Sequence, residues 1–229
     1  MGGARTPLLD RRYARPVTPR LHRPGRRTAP SVLGLVAVLA LVAAACQSSG
    51  PYFSPRGPCN ADGREAGAYP ELEALLPENL DDDPPTTLDS GRSCSDEALG
   101  TLAGHGVDEL RFAGATWDFG AGRAVTIAVL GLPGEPLPVA WAEEFYEAGA
   151  RSAPKTGNTE VSRPGLEGIG RGFRVDTLND LSLQTVVVWD GGTGGVTVVL
   201  VATPVSPSAV RADHDALVER AVTAAAEIG

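Results

Sequence analysis

Residues 181–203 read LSLQTVVVWDGGTGGVTVVLVAT and decide the predicted architecture. Two runs rich in β-branched residues, 181–190 and 195–203, flank a glycine-rich segment. β-Branched residues favour strands, and glycine adopts the positive φ that tight turns require. The stretch therefore predicts a β-hairpin.

A similar stretch lies earlier in the chain. Residues 115–145 read ATWDFGAGRAVTIAVLGLPGEPLPVAWAEEF, and Trp117-Asp118 aligns with Trp189-Asp190 at an offset of 72. After the turn, Val125-Thr126 aligns with Val196-Thr197 at an offset of 71, which predicts that one turn is a residue longer. Each unit predicts two strands, a loop broken by proline, and a helix. The alternative is that unrelated hairpin–helix units of this composition look alike.

Two ββα units can pair edge to edge and bury their helices against the sheet. The sequence therefore predicts an α+β fold with a mostly antiparallel sheet and with its helices packed on one face. The best helix patterns cover residues 70–76, 95–102, 138–151 and 209–228.

The first 45 residues have the pattern of an export signal. Eight arginines and one acid precede an uncharged apolar run, Ser31–Ala45, which is short for a membrane-spanning helix. The run ends at VAAAC, Val42–Cys46, which resembles the lipobox of bacterial lipoproteins, with Ala43 where leucine is more usual. In that family the chain is cut before the cysteine, which carries a diacylglycerol.

This resemblance implies a signal peptide at 1–45 and a lipidated Cys46. The serine, glycine and proline that follow predict a short tether, so that 46–58 is a lipidated tether. The length of the remainder predicts one globular domain at 59–229. The resemblance also implies a protein anchored through Cys46 on the extracytoplasmic side of the cell membrane, in the cell envelope. A plain signal peptide and a membrane-anchoring helix remain the alternatives. The route of export, general secretory or twin-arginine, stays open.

The net charge of the chain excludes one class of partner. From Cys46 onward the chain keeps twelve basic and twenty-seven acidic residues, a formal net charge of −15. Phosphate backbones repel such a domain, so nucleic acid is not an expected partner.

Cys59 and Cys94 are the two remaining cysteines, and in an exported protein such a pair predicts a disulfide. Two free buried thiols are the alternative.

The sequence contains no catalytic, cofactor or metal motif that we can identify. Gly191–Gly195 joins strand to strand and lacks lysine, so it predicts a hairpin turn rather than a phosphate loop. His214 lies between two aspartates on a helix, which favours an exposed histidine without a catalytic role. We therefore expect no enzyme, no cofactor and no metal site.

The tryptophans are the remaining candidates for a binding surface. Trp117, Trp141 and Trp189 are core anchors or line a pocket between the sheet and its helices. We accordingly predict a non-enzymatic binding module for a small apolar or amphiphilic ligand. The alternative is an interaction or scaffold protein of the cell envelope.

Overall fold

The computed structural model describes residues 53–153, 156–179, 182–192, 195–205 and 211–226. The predicted signal peptide and the lipidated cysteine, Cys46, lie outside the described residues.

Strands dominate the described chain. Most of the longer ones are rich in Val, Thr, Ile and Ala, residues that pack well on a pleated surface or in a tight interior. The strands are β1 (Gly63–Glu65), β2 (Thr87–Ser93), β3 (Leu110–Asp118), β4 (Ala124–Gly131), β5 (Thr156–Ser162), β6 (Gly165–Leu166), β7 (Gly170–Arg171), β8 (Phe173–Asn179), β9 (Ser182–Asp190) and β10 (Val196–Pro204).

Two longer helices and three single turns of helix accompany these strands. The predicted helix at 95–102 is broken at Gly100, whose φ is 52°. The helices are α1 (Pro70–Glu73), α2 (Asp96–Leu99), α3 (Thr101–Gly104), α4 (Val139–Ser152) and α5 (Arg211–Ala226).

Eight of the strands form one sheet in the order β1-β2-β3-β4-β10-β9-β8-β5, and every neighbouring pair is antiparallel. The hairpins β3–β4 and β9–β10 lie side by side at the centre of the sheet and are joined by the β4–β10 pair. The predicted α+β class with a mostly antiparallel sheet is confirmed.

The two central hairpins have turns of equal length, so the predicted one-residue difference is wrong. Asp118 pairs with Ala124, and Asp190 pairs with Val196, an offset of 72 on both sides of the turn. The aspartates accept hydrogen bonds from the N–H of Gly120 and of Gly192, at 2.8 and 2.9 Å. The Val-Thr match misled the alignment, because it joins residues from opposite faces of the sheet.

The expectation that the helices cover one face of the sheet is also wrong. Helix α4 packs on Val186 and Val188, whereas α5 packs on Val187 and Val199. Successive residues of a strand point to opposite faces, so these are two separate cores. The physical reason is that the central strands are apolar at nearly every position, and both faces must therefore be covered.

The expected disulfide between Cys59 and Cys94 is present, with the two Cα atoms 5.5 Å apart. A second contact reinforces it, because the buried guanidinium of Arg92 donates hydrogen bonds to the carbonyls of Gly57 and Pro58, at 2.9 and 2.7 Å. Residues 53–58, assigned to the tether from the sequence, therefore contact the body of the domain.

Candidate functional site

A cavity of about 330 Å³ opens on the α5 face of the sheet, beside the first turn of the helix. Its floor follows the strand register. One cross-strand row runs from Asn158 on β5 through Leu178 on β8 and Leu183 on β9 to Thr203 on β10. We call this cavity the α5 pocket.

The next row and the helix complete the wall of the α5 pocket. Glu160 on β5 pairs with Asp176 on β8, two residues along each strand from the first row and on the same face of the sheet. Arg211 and His214 project from the first turn of α5, and Pro204 and Val205 continue from the end of β10. The site therefore gathers residues separated by more than fifty positions in sequence.

One side of the α5 pocket is apolar and open to solvent. Leu178 is 45% exposed and Val205 is 51% exposed, whereas most large hydrophobic side chains of the described chain are covered. Leu183 and Pro204 extend the same apolar wall. Apolar surface left in water beside a cavity is typical of ligand and partner sites.

A compact ionic cluster lies beside the cavity, and two of its members, Asp176 and Arg211, line it. Nε and Nη2 of Arg174 donate to the two carboxylate oxygens of Asp176, each at 2.9 Å, and Nη2 also contacts Asp215 at 2.5 Å. Arg211 adds ion pairs to Asp176 at 3.2 Å and to Asp215 at 3.1 Å. Two guanidinium groups and two carboxylates thus balance one another.

The pKa of Asp215 reflects this cluster. Burial alone would raise the pKa of its carboxyl group, but hydrogen bonds from Arg174 and Arg211 outweigh burial and lower it. Burial lowers the pKa of the Arg174 guanidinium, but its hydrogen bonds to Asp176 and Asp215 outweigh burial and raise it. Both shifts favour the charged forms of Asp215 and Arg174.

His214 lies behind the ionic cluster and is 2% exposed. Its Nδ1 is 2.9 Å from the hydroxyl of Thr203, and its Nε2 is 2.7 Å from the hydroxyl of Thr185. The hydroxyl of Thr185 in turn donates to Asp176. Burial lowers the pKa of His214 to about 4, so the imidazole is neutral at pH 7.

This series of hydrogen bonds determines which atom carries each proton. Asp176 is flanked by two guanidinium groups and only accepts, so the Thr185 hydroxyl donates to it. Nε2–H of His214 then donates to Thr185, and Nδ1 accepts the proton of the Thr203 hydroxyl. The Thr203 hydroxyl has thereby used its proton and keeps only acceptor capacity.

The expectation that His214 is exposed is wrong, and the sequence carried a signal for its burial. Leu217, Val218 and Ala221 follow His214 at spacings of three, four and seven, and all of them are buried. These are the spacings of one helix face. His214 therefore belongs to the buried face of α5, although aspartates flank it in sequence.

The three tryptophans lie at separate places, and none is among the described residues that line the α5 pocket. Trp117 is buried, and its Nε1–H donates to the carbonyl of Asp83 at 2.8 Å. The ring of Trp141 stacks on His105, with centroids 4.5 Å apart. Trp189 lines a smaller cavity of about 180 Å³ together with Leu75 and Ile169.

In the described chain, no group of three or more His, Cys, Asp or Glu side chains is placed to hold a metal ion. Across the same residues, no helix is long and apolar enough to cross a membrane. No family model, curated protein or solved structure matches this chain.

Proposed function

We propose that this chain is an extracytoplasmic lipoprotein, anchored to the membrane through Cys46, that binds a small amphiphilic ligand in the α5 pocket without transforming it. The observation that carries the binding proposal is the composition of the cavity wall. Leu178, Leu183 and Val205 supply an apolar side, and the ionic cluster around Asp176 supplies a polar side.

The size and stiffness of the site support a ligand of low molecular weight. A volume of about 330 Å³ lies at the lower end of the range for small-molecule sites. The floor consists of paired strands, and the polar wall is cross-linked by the bonds of Arg174 and His214. A site that is ordered before binding loses little conformational entropy when the ligand enters.

The first test is native mass spectrometry of residues 47–229, exported from a bacterial host and kept unheated. A discrete extra mass, released by organic solvent, is the expected result. Leu178→Asp should abolish the extra mass, because it places a charge in the apolar wall. Leu88→Asp is the matched control, since Leu88 on β2 is also exposed, at 41%. Equal loss in both variants, or a bare wild-type protein, would contradict the proposal.

The anchor is proposed from the resemblance of Val42–Cys46 to a lipobox and needs its own test. The Cys46→Ser chain should leave the membrane fraction, whereas the Cys59→Ser chain, which loses a different cysteine, should stay in it. Metabolic labelling with a radioactive or tagged fatty acid should label the Cys59→Ser chain but not the Cys46→Ser chain. Membrane association of both variants would exclude a lipid anchor at Cys46.

A second candidate function is interaction with another protein of the envelope, and the position of β5 at the edge of the described sheet favours it. β5 closes one side of the eight-stranded sheet, and Val161 on it is 39% exposed. An edge strand presents N–H and C=O groups that another strand can pair with. Val161→Lys should weaken crosslinking on intact cells if this edge is used, and should leave ligand binding in the α5 pocket unchanged.

A further inference from the structure

We infer that the α5 pocket selects a cationic amphiphile, a small primary amine with an aliphatic tail, over anions of the same size. The inference rests on the proposed function and names the chemical class of its ligand. It follows from the charge balance of the cavity wall, from the direction of the hydrogen bonds in it, and from the order of its residues along the sheet.

Among the described residues at the cavity, the charge balance leaves one carboxylate in excess. Arg174 and Arg211 are neutralised by Asp176 and Asp215, with which they make every ion pair described for them. Glu160 lines the same cavity and is exposed, and its described hydrogen bond comes from the uncharged amide of Asn158 at 3.3 Å. An ammonium group beside Glu160 would complete the balance, whereas a carboxylate there would be repelled.

The hydroxyl of Thr203, at the β10 end of the first row, also acts as a hydrogen-bond acceptor. Thr203 lines the cavity, and its hydroxyl proton is used in the hydrogen bond to Nδ1 of His214, so the hydroxyl can only accept a hydrogen bond from a ligand. Arg211 keeps N–H groups that an anion could use, but two carboxylates already surround its charge. The wall therefore favours donors and positive charge in the ligand.

The register places these groups in an order that an amphiphile can follow. Glu160 stands on the outer strand β5, and Leu178 and Leu183 stand on β8 and β9. Pro204 and Val205 follow at the end of β10. A head group at Glu160 would thus extend its tail across the two leucines toward Val205, with each part of the ligand against surface of matching polarity.

Three eight-carbon probes that differ only in the head group test the inference: octylammonium, octanol and octanoate, titrated by calorimetry at pH 7 and low ionic strength. Octylammonium should bind about tenfold more tightly than octanoate, as expected for a hydrogen bond to a charged group. Glu160→Gln should lower the affinity for octylammonium to the affinity for octanol. Glu167→Gln, which removes another exposed glutamate, is the control and should change nothing.

The outcomes separate this inference from the proposed function. If octanoate binds as tightly as octylammonium, or if Glu160→Gln leaves their ratio unchanged, the choice of a cation is wrong, although the pocket still binds amphiphiles. If none of the probes binds at millimolar concentration and the exported protein carries no ligand, the proposed function itself fails. Circular dichroism should show that both glutamine variants are folded.

Discussion

Nε2 of His214 lies 2.7 Å from the hydroxyl oxygen of Thr185, and this contact joins helix α5 to strand β9. The Thr185 hydroxyl in turn donates a hydrogen bond to Asp176, and two arginines form ion pairs with Asp176. Because Thr203 binds the other ring nitrogen, both polar atoms of the buried imidazole are satisfied. The same chain of bonds that anchors the helix thus forms the polar wall of the α5 pocket.

The first prediction concerns stability against pH. The pKa of His214 is about 4 in the folded protein, below its usual value of 6.5, so the unfolded chain binds the proton more readily between these values. The stabilisation is complete above pH 6.5 and is lost as pH falls toward 4. Urea unfolding of the wild type should therefore show a free energy that declines by at most about 1.4 kcal/mol per pH unit for this proton.

The matched variant for that experiment is His214→Gln, which keeps a polar side chain that does not titrate. Its free energy of unfolding should decline less between pH 6.5 and 4 than that of the wild type. Asp215 and Asp176 raise the pKa of His214, and Arg211 and Arg174 lower it, so all four residues stay unchanged. Parallel pH profiles for the two proteins would show that His214 is not the titrating group.

The sequence indicated the strands well, because β-branched runs and glycine turns are local signals. It also contained the evidence for two-sided burial, since VVLVA, residues 198–202 in β10, is continuously apolar instead of alternating. The apolar stripes of α4 and α5 predict that each helix packs on a sheet, but they do not indicate which face. That choice depends on non-local packing.

The α5 pocket could not be predicted from the sequence for a related reason. Glu160, Leu183 and Thr203 come from three strands, and only the register of the whole sheet brings them into two adjacent rows. Tryptophan is a conspicuous residue but a poor guide here. Trp117 fills the core, and the cavity with the amphiphilic wall is lined by leucine, valine and proline instead.

The second prediction concerns the disulfide. Cys59 and Cys94 are 35 residues apart, and closing a loop of that length is expected to stabilise the fold by about 3–4 kcal/mol in the chain-entropy model. The double variant Cys59→Ala/Cys94→Ala should lose this amount in urea unfolding. Wild-type protein measured with reductant should match the variant. A reductant-dependent loss in the variant itself would contradict the assignment.

The third prediction concerns Asp62, which holds the start of α2. Its carboxylate accepts hydrogen bonds from the N–H of Cys94 and of Ser95, at 2.5 and 2.9 Å. Burial alone would raise the pKa of Asp62, but these bonds outweigh burial and lower it. Asp62→Ala should cost about 1–2 kcal/mol at pH 7.

The pH dependence of that cost provides the check. Since the folded pKa of Asp62 is lowered, its stabilisation is present above pH 3.8 and is lost as pH falls through the folded value. The difference between the wild type and Asp62→Ala should therefore shrink in strong acid. Asp62→Asn keeps one acceptor oxygen and should lie between the two at pH 7. A cost that does not change with pH would assign Asp62 a purely steric role.

The fourth prediction uses two glycines on neighbouring strands. A Cβ atom at Gly91 on β2 would lie 2.3 Å from the carbonyl oxygen of Gly63 and 2.8 Å from Cα of Arg64, so β1 would have to move. A Cβ atom at Gly114 on β3 would meet nothing within 4 Å. Neither glycine has a positive φ, so only the space around it differs. Gly91→Ala should cost about 1–3 kcal/mol, the usual range for overpacking. Gly114→Ala should instead be neutral or stabilise the fold by up to about 1 kcal/mol, because alanine loses less backbone entropy on folding than glycine does. Urea unfolding of both variants measures this, and equal costs would show that β1 does not pack against β2 as closely as described.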